Sequence, residues 1–247
     1  MQVSQIFLSS QSYKPSGLLE ENINLIHKLF KDDNHVLYNN ESLRSFILES
    51  YGEEVAWAFD ELAPLAYKAD LGRYCLLNTF GGWYFDLGVR VINPIQLPDN
   101  IEFFAFRDRN RYSYTAWACS IGIMYSKPNN KALQIAIEQI VQNCKNKYYG
   151  ITPLCPTGPT LLGESLAKNG SQSNFAYGDF LDLTPGFNNT NTAFVLPDGT
   201  IMAWAKPAAG GDLTVLGGKG VNNYNDFWHK KEVYTSELNN PYKGLII

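Results

Sequence analysis

Residues 68–91 read "KADLGRYCLLNTFGGWYFDLGVRV", and this stretch restricts the fold more than any other. The run 63–82 predicts a helix. Pro64 suits a first helical turn, where a missing N–H costs nothing, and Gly81–Gly82 suits the left-handed backbone that ends helices. The run 83–92, "WYFDLGVRVI", then predicts a strand. A helix delivered into a strand through two glycines brings the charged residues of both elements toward one corner.

Which side chains share a face follows from periodicity. In a continuous strand Asp86, Gly88 and Arg90 point one way, and the apolar Phe85, Leu87, Val89 and Val91 point the other, toward a core. On the helix, Asp70 and Arg73 are three apart and share a face. The plain reading is two ion pairs, Asp70 with Arg73 and Asp86 with Arg90. The other reading is a site.

The rest of the chain supplies the setting. "VSQIFLS" predicts a first strand, residues 16–30 an amphipathic helix, and "HVLYNN" a second strand, so the chain opens β-α-β. Two short helices follow, the first capped by Asn40. Strands are expected over 101–106 and 115–127, helices over 129–146 and 157–170, and a hairpin over 194–205 about a Pro-Asp-Gly turn. Strands alternating with helices, then hairpins, imply one α/β domain over residues 1–247 with a mixed, mostly parallel sheet flanked by helices.

The string "KADLGRYCLLNTFGGWYFDLGV" resembles the signature of glycosyltransferases with a DXD sugar-binding region, family 32 and its capsular-polysaccharide relatives. That signature reads S/A-D-x-x-R-Y-x-x-L-x-x-x-G-G-x-Y-x-D-x-D. Ala69, Asp70, Arg73, Tyr74, Leu77, Gly81, Gly82, Tyr84 and Asp86 match it in register, and Gly88 stands where it has its second Asp. "SIGIMYSKPNNKAL", "TGPTLL" and "NNYNDFWHKKEVY" are similar to later family segments.

The resemblance implies a type A glycosyltransferase fold, a Rossmann-like sheet that takes a UDP- or GDP-sugar at the carboxyl ends of its strands. The sugar would pass to a hydroxyl acceptor, in glycan or surface-polysaccharide synthesis, with retention of configuration. By the resemblance Asp70 and Arg73 orient the donor sugar, and Tyr84 and Asp86 contact ribose and sugar. The residue at Gly88 would ordinarily hold Mn²⁺ or Mg²⁺ against the diphosphate, whose charge grows as it leaves. Three outcomes stay open without that ligand. An ion binds through Asp86, the diphosphate and a tail residue such as Asp226 or His229; Arg90 and Lys219 supply the charge instead; or turnover is lost and a sugar-nucleotide or glycan-binding protein remains.

Other features exclude alternatives. A net charge of −4 argues against a nucleic-acid binder. No run approaches the length of a membrane span, the first residues lack a basic leader, and four cysteines show no paired or metal spacing, which together lead us to expect a cytoplasmic protein with reduced thiols. "GGKG" (217–220), containing Lys219, reads as a loop or a phosphate cradle, and "RDRNR" (107–111) as a solvated loop or an acceptor contact. His229, beside Trp228, is the histidine worth testing, since His27, His35 and His229 form no ligand spacing.

Overall fold

In the computed structural model, residues 1–10, 13–109, 113–170, 173–183, 191–207, 210–219 and 223–238 are described. The opening β-α-β unit is present: β1 (Gln2–Ile6) pairs in parallel with β2 (Asn34–Tyr38), and α1 (Leu18–Leu29) connects them. Helix α2 (Asn40–Tyr51) is capped one residue earlier than the sequence suggests. The Asn39 side chain accepts from the Ser42 N–H, and the Ser42 hydroxyl in return accepts from the Asn39 N–H. Helix α3 (Glu53–Glu61) follows.

Helix α4 (Leu65–Phe80) is the expected central helix, and it stops at Gly81. Both corner glycines have positive φ, 65° and 86°. A Cβ on Gly82 would lie 2.0 Å from the carbonyl oxygen of Gln2, so only glycine lets β3 (Gly82–Phe85) approach β1. These two strands are parallel, with Val3 opposite Trp83.

The strand expected over 83–92 is two strands. It breaks after Phe85, where Asp86 to Leu87 and Gly88 form a turn closed by the Val89 N–H on the Asp86 carbonyl, and β4 (Val89–Val91) then leaves for another partner. After β5 (Phe103–Arg107), β6 (Cys119–Ser126), α5 (Lys131–Asn146) and α6 (Pro159–Asn169) come β7 (Phe175–Asp182) and the expected hairpin of β8 (Thr192–Val195) and β9 (Ile201–Ala205). Strand β4 pairs antiparallel with β9.

Among the described residues these strands form one mixed sheet, β2-β1-β3-β6-β5-β7-β8-β9-β4. The pairs β1–β2, β1–β3 and β5–β7 are parallel, and the others are antiparallel. Because β3 and β4 sit far apart in that order yet are joined by residues 86–88, the sheet must curl back on itself. A three-residue connection spans at most about 14 Å from Phe85 to Val89.

Strand β7 carries a glycine in its middle, which masks it in the sequence. A Cβ on Gly178 would meet the Phe106 ring at 2.6 Å, so the glycine is a packing requirement of the neighbouring strand. Alternating side chains split the core between the two faces. Trp83, Phe85, Phe104 and Phe106 pack with α1, while Tyr84, Phe103 and Ala105 pack under α2 to α6. The four cysteines are buried and free. Among the described residues no helix is long and apolar enough to cross a membrane.

Candidate active site

A cavity of about 590 Å³ opens where β1 and β3 end, beside the start of β6. Its wall includes Ile6, Asp70, Arg73, Tyr84, Asp86, Gly88, Ser120 and Gly122. That size suits an organic ligand, and carboxyl ends of parallel strands are where open α/β sheets bind theirs.

Arg73 organises the cavity floor. Its side chain is 5% exposed. One terminal nitrogen, Nη1, donates to Asp86 Oδ1 at 2.9 Å and to the Ile121 carbonyl at 2.8 Å. The other, Nη2, lies 3.0 Å from Asp70 Oδ1, and Nε donates to the Ala69 carbonyl at 3.2 Å. The guanidinium also lies over the Tyr84 ring, 4.7 Å from its centroid. Arg73 thus spends its donors on the protein, holding two carboxylates toward one space.

The two carboxylates differ. Asp70 is buried, and its Oδ2 accepts from the Thr157 hydroxyl at 2.7 Å. Burial pushes its pKa up to about 6, outweighing the opposing pull of Arg73 and Thr157. Asp86 is 38% exposed; its Oδ1 takes Arg73 and the Tyr84 hydroxyl, the latter at 2.8 Å. Its Oδ2 lies beside Gly122, where a Cβ would come within 3.4 Å. Burial holds the Tyr84 phenol well above its usual range, so it stays a donor to Asp86.

The structure therefore brings together Asp70, Arg73, Tyr84 and Asp86. It does not bring Arg90 to them. The expected face shared by Asp86 and Arg90 required one continuous strand, and the turn at 86–88 removes it. Arg90 is 53% exposed on β4 and sits 3.8 Å from Glu21 of α1. The anticipated pair Asp70–Arg73 forms, and Asp86 pairs with Arg73 in place of Arg90.

The tail residues divide. His229 lines the cavity on α7 (Tyr224–His229), its ring edge-on to Trp228. Lys219 does not line it; its backbone N–H donates to the Tyr13 hydroxyl and its ammonium lies over the Tyr13 ring. Gly220, the last residue of "GGKG", lies outside the described residues. Asp226 is exposed and also absent from the cavity wall. The cluster at 107–111 splits: Arg107 pairs with Asp179 on the surface, whereas Arg109 lines the cavity, 2.6 Å from Asp182 and over the Phe180 ring. Asn110 and Arg111 lie outside the described residues.

Sequence reasoning missed four contributors. Thr157 orients Asp70; Tyr224 and Trp228 line the cavity, Tyr224 against Tyr67 and Trp228 donating to the Tyr149 carbonyl. Lys206 directly follows β9 and also lines the cavity. Its Nζ donates to the Gly210 carbonyl at 2.9 Å, and burial lowers its pKa to about 8 against the opposing pull of Asp86 and Asp212.

The donor set does not fit a divalent ion held by paired carboxylates. Hard cations take several oxygen ligands. Here Gly88 offers no carboxylate, and one oxygen of Asp86 is already committed to Arg73 and Tyr84. Among the described residues no three His, Cys, Asp or Glu side chains converge, so the set of Asp86, Asp226 and His229 is not assembled.

Residues 18–104 match the family model for a glycosyltransferase sugar-binding region containing a DXD motif. The matched segment runs from α1 to β5 and contains the Asp70–Arg73–Asp86 cluster.

Across 203 residues the chain is 23% identical to an uncharacterized glycosyltransferase of Acanthamoeba polyphaga mimivirus, covering 79% of this chain and 78% of that protein. In structure it is similar to the PaToxG glycosyltransferase, with a TM-score of 0.50 and 16% identity over 68% of each chain. The α/β architecture is thus that of type A glycosyltransferases, and the likenesses support a role in sugar transfer.

Proposed function

We propose that the protein is a glycosyltransferase that moves a sugar from a UDP- or GDP-sugar to a hydroxyl group of a glycan acceptor, with retention of configuration. The observation that carries this reading is the chain from buried Asp70 and Arg73 to the half-buried Asp86, at the cavity where β1 and β3 end. A carboxylate fixed by an arginine is a rigid acceptor for sugar hydroxyls, and rigidity there saves the cost of ordering the site at each turnover.

In this reading the roles implied by the resemblance are redistributed. Asp86 Oδ2 and Asp70 face the donor and accept its hydroxyls. Arg73 and Tyr84 are positioning residues, since four of the five Arg73 N–H donors and the Tyr84 hydroxyl are engaged with those carboxylates and with backbone. Tyr224 and Trp228 offer flat faces for the base or an acceptor sugar, and His229 stands at the same wall. A surface-polysaccharide product is the acceptor class that the sequence resemblance favours.

Incubation with a panel of UDP- and GDP-sugars, followed by chromatography of released nucleotide, tests the reading. Release that Asp86→Ala abolishes supports transfer. Gly88 favours a second reading, in which the pocket binds its nucleotide-sugar without transferring it. Tight binding with no release across donors and acceptors would select that reading, and no binding of any donor would remove both.

A further inference from the structure

The antiparallel pairing of β4 with β9 sets Val89 opposite Ala205 and Arg90 opposite Trp204. One step further along the same register places Gly88 opposite Lys206. The space next to Gly88 is filled accordingly: a Cβ built there would lie 2.8 Å from Lys206 Cδ and 3.1 Å from its Cγ. An aspartate at 88 and the present Lys206 side chain cannot occupy that space together without one moving. Where the related signature carries a second carboxylate, this chain carries the stem of a lysine.

We infer that the Lys206 ammonium takes the place of a divalent ion opposite the donor diphosphate, so that this site binds a nucleoside diphosphate without metal; the inference rests on the donor-site reading proposed above.

Four observations carry it. Lys206, Gly88 and Asp86 line the same cavity. The ammonium is anchored at the cavity wall by the Gly210 carbonyl, a bond that a phosphate oxygen can share or replace. Asp86 and Asp212 both favour the charged form of the lysine, which keeps it cationic in spite of its burial. Finally, a dication placed beside Asp86 would meet the ammonium as a like charge, and position 88 offers it no second carboxylate because Lys206 fills that space. Lysine binds phosphate as a compact point charge, which is what a leaving diphosphate requires.

Isothermal titration of the whole protein with UDP and with GDP, each in excess EDTA and in Mn²⁺, tests this without relying on turnover. The wild type is expected to bind its preferred nucleotide equally well in both, within about twofold. Losing one charged hydrogen bond to phosphate predicts that Lys206→Met weakens binding by about tenfold or more, and that Lys206→Arg recovers most of it.

The double variant Gly88→Asp/Lys206→Ala rebuilds the second carboxylate in the vacated space, and its binding is expected to need Mn²⁺. Circular dichroism and urea midpoints establish that each variant is folded, and the wild-type comparison needs no variant. Wild-type binding lost in EDTA would overturn the inference while leaving the donor site standing. So would Lys206→Met binding as tightly as wild type, or a double variant that binds without metal. Failure of the wild type to bind either nucleotide under both conditions overturns the donor-site reading, and this inference with it.

Discussion

Arg73 on α4 and Asp86 just after β3 meet across the Gly81–Gly82 corner, with Nη1 2.9 Å from Oδ1. The same guanidinium holds Asp70, so one cation serves two carboxylates in a largely buried place. Removing it leaves both acids without their counter-charge, with only the Tyr84 and Thr157 hydroxyls still donating to them, and strips the Ile121 carbonyl of its Arg73 donor. Breaking a buried pair from one side typically costs about 3–5 kcal/mol. Arg73→Met is expected to lower the urea-unfolding free energy by that order. Arg73→Lys should recover little of it, because an ammonium cannot span Asp70, Asp86 and two carbonyls as the planar fork does. A lysine variant as stable as wild type would show that the fork geometry is unimportant.

Asp70 makes stability depend on pH in a defined direction. Its folded pKa is raised from 3.8 to about 6 by burial, so between those values the native state holds a proton that the unfolded chain has released. Native protein binding more protons means that this group's contribution to stability falls as pH rises through the window, and levels off above about 6. The cost of keeping Asp70 charged is therefore absent below about 4 and complete near neutrality. Urea midpoints measured from pH 4 to 7 should carry this falling component in the wild type, and Asp70→Asn should lack it. Parallel curves for the two proteins would remove Asp70 as its source.

The corner itself is a third test. Gly82 has φ 86° and its missing Cβ is replaced in space by the Gln2 carbonyl oxygen at 2.0 Å. An alanine there pays for left-handed backbone, about 1–2 kcal/mol, and also pushes β3 away from β1. Gly82→Ala should therefore destabilise the fold by more than about 2 kcal/mol and weaken donor binding, since Asp86 directly follows the same strand. Unchanged thermal unfolding would mean that the two strands tolerate separation.

This corner was legible in the sequence because its signals are local. A helix pattern, Pro64 at one end, two glycines at the other and an aromatic run beyond them act within a few residues of each other. What sequence could not reveal depends on partners far along the chain. The alternation in "WYFDLGVRVI" fits one strand or two equally well, and only the pairing of β4 with β9 forces the break at 86–88. That break undid the expected partnership of Asp86 with Arg90. The same distant pairing set Lys206 against Gly88, so the residue that fills the gap was invisible to any local pattern. Strand β7 escaped for a related reason: Gly178 interrupts its apolar run, and the need for that glycine lies in Phe106 of another strand.

Arg90 provides the sharpest contrast between the sequence pattern and the folded site. On the alternation argument it stood beside Asp86 and offset diphosphate charge. In the fold it lies on β4, 53% exposed, 3.8 Å from the exposed Glu21. A pair of that kind contributes about 0–1 kcal/mol to stability. Arg90→Ala should leave nucleotide binding and sugar transfer within about twofold of wild type, since the lost charge is solvated and outside the cavity wall. Asp86→Ala, by contrast, should abolish transfer, because it removes the exposed acceptor that Arg73 and Tyr84 hold in place. Side-by-side turnover assays of the two variants decide the matter. A large loss in Arg90→Ala would return that residue to the site and require β4 to rearrange when the donor binds.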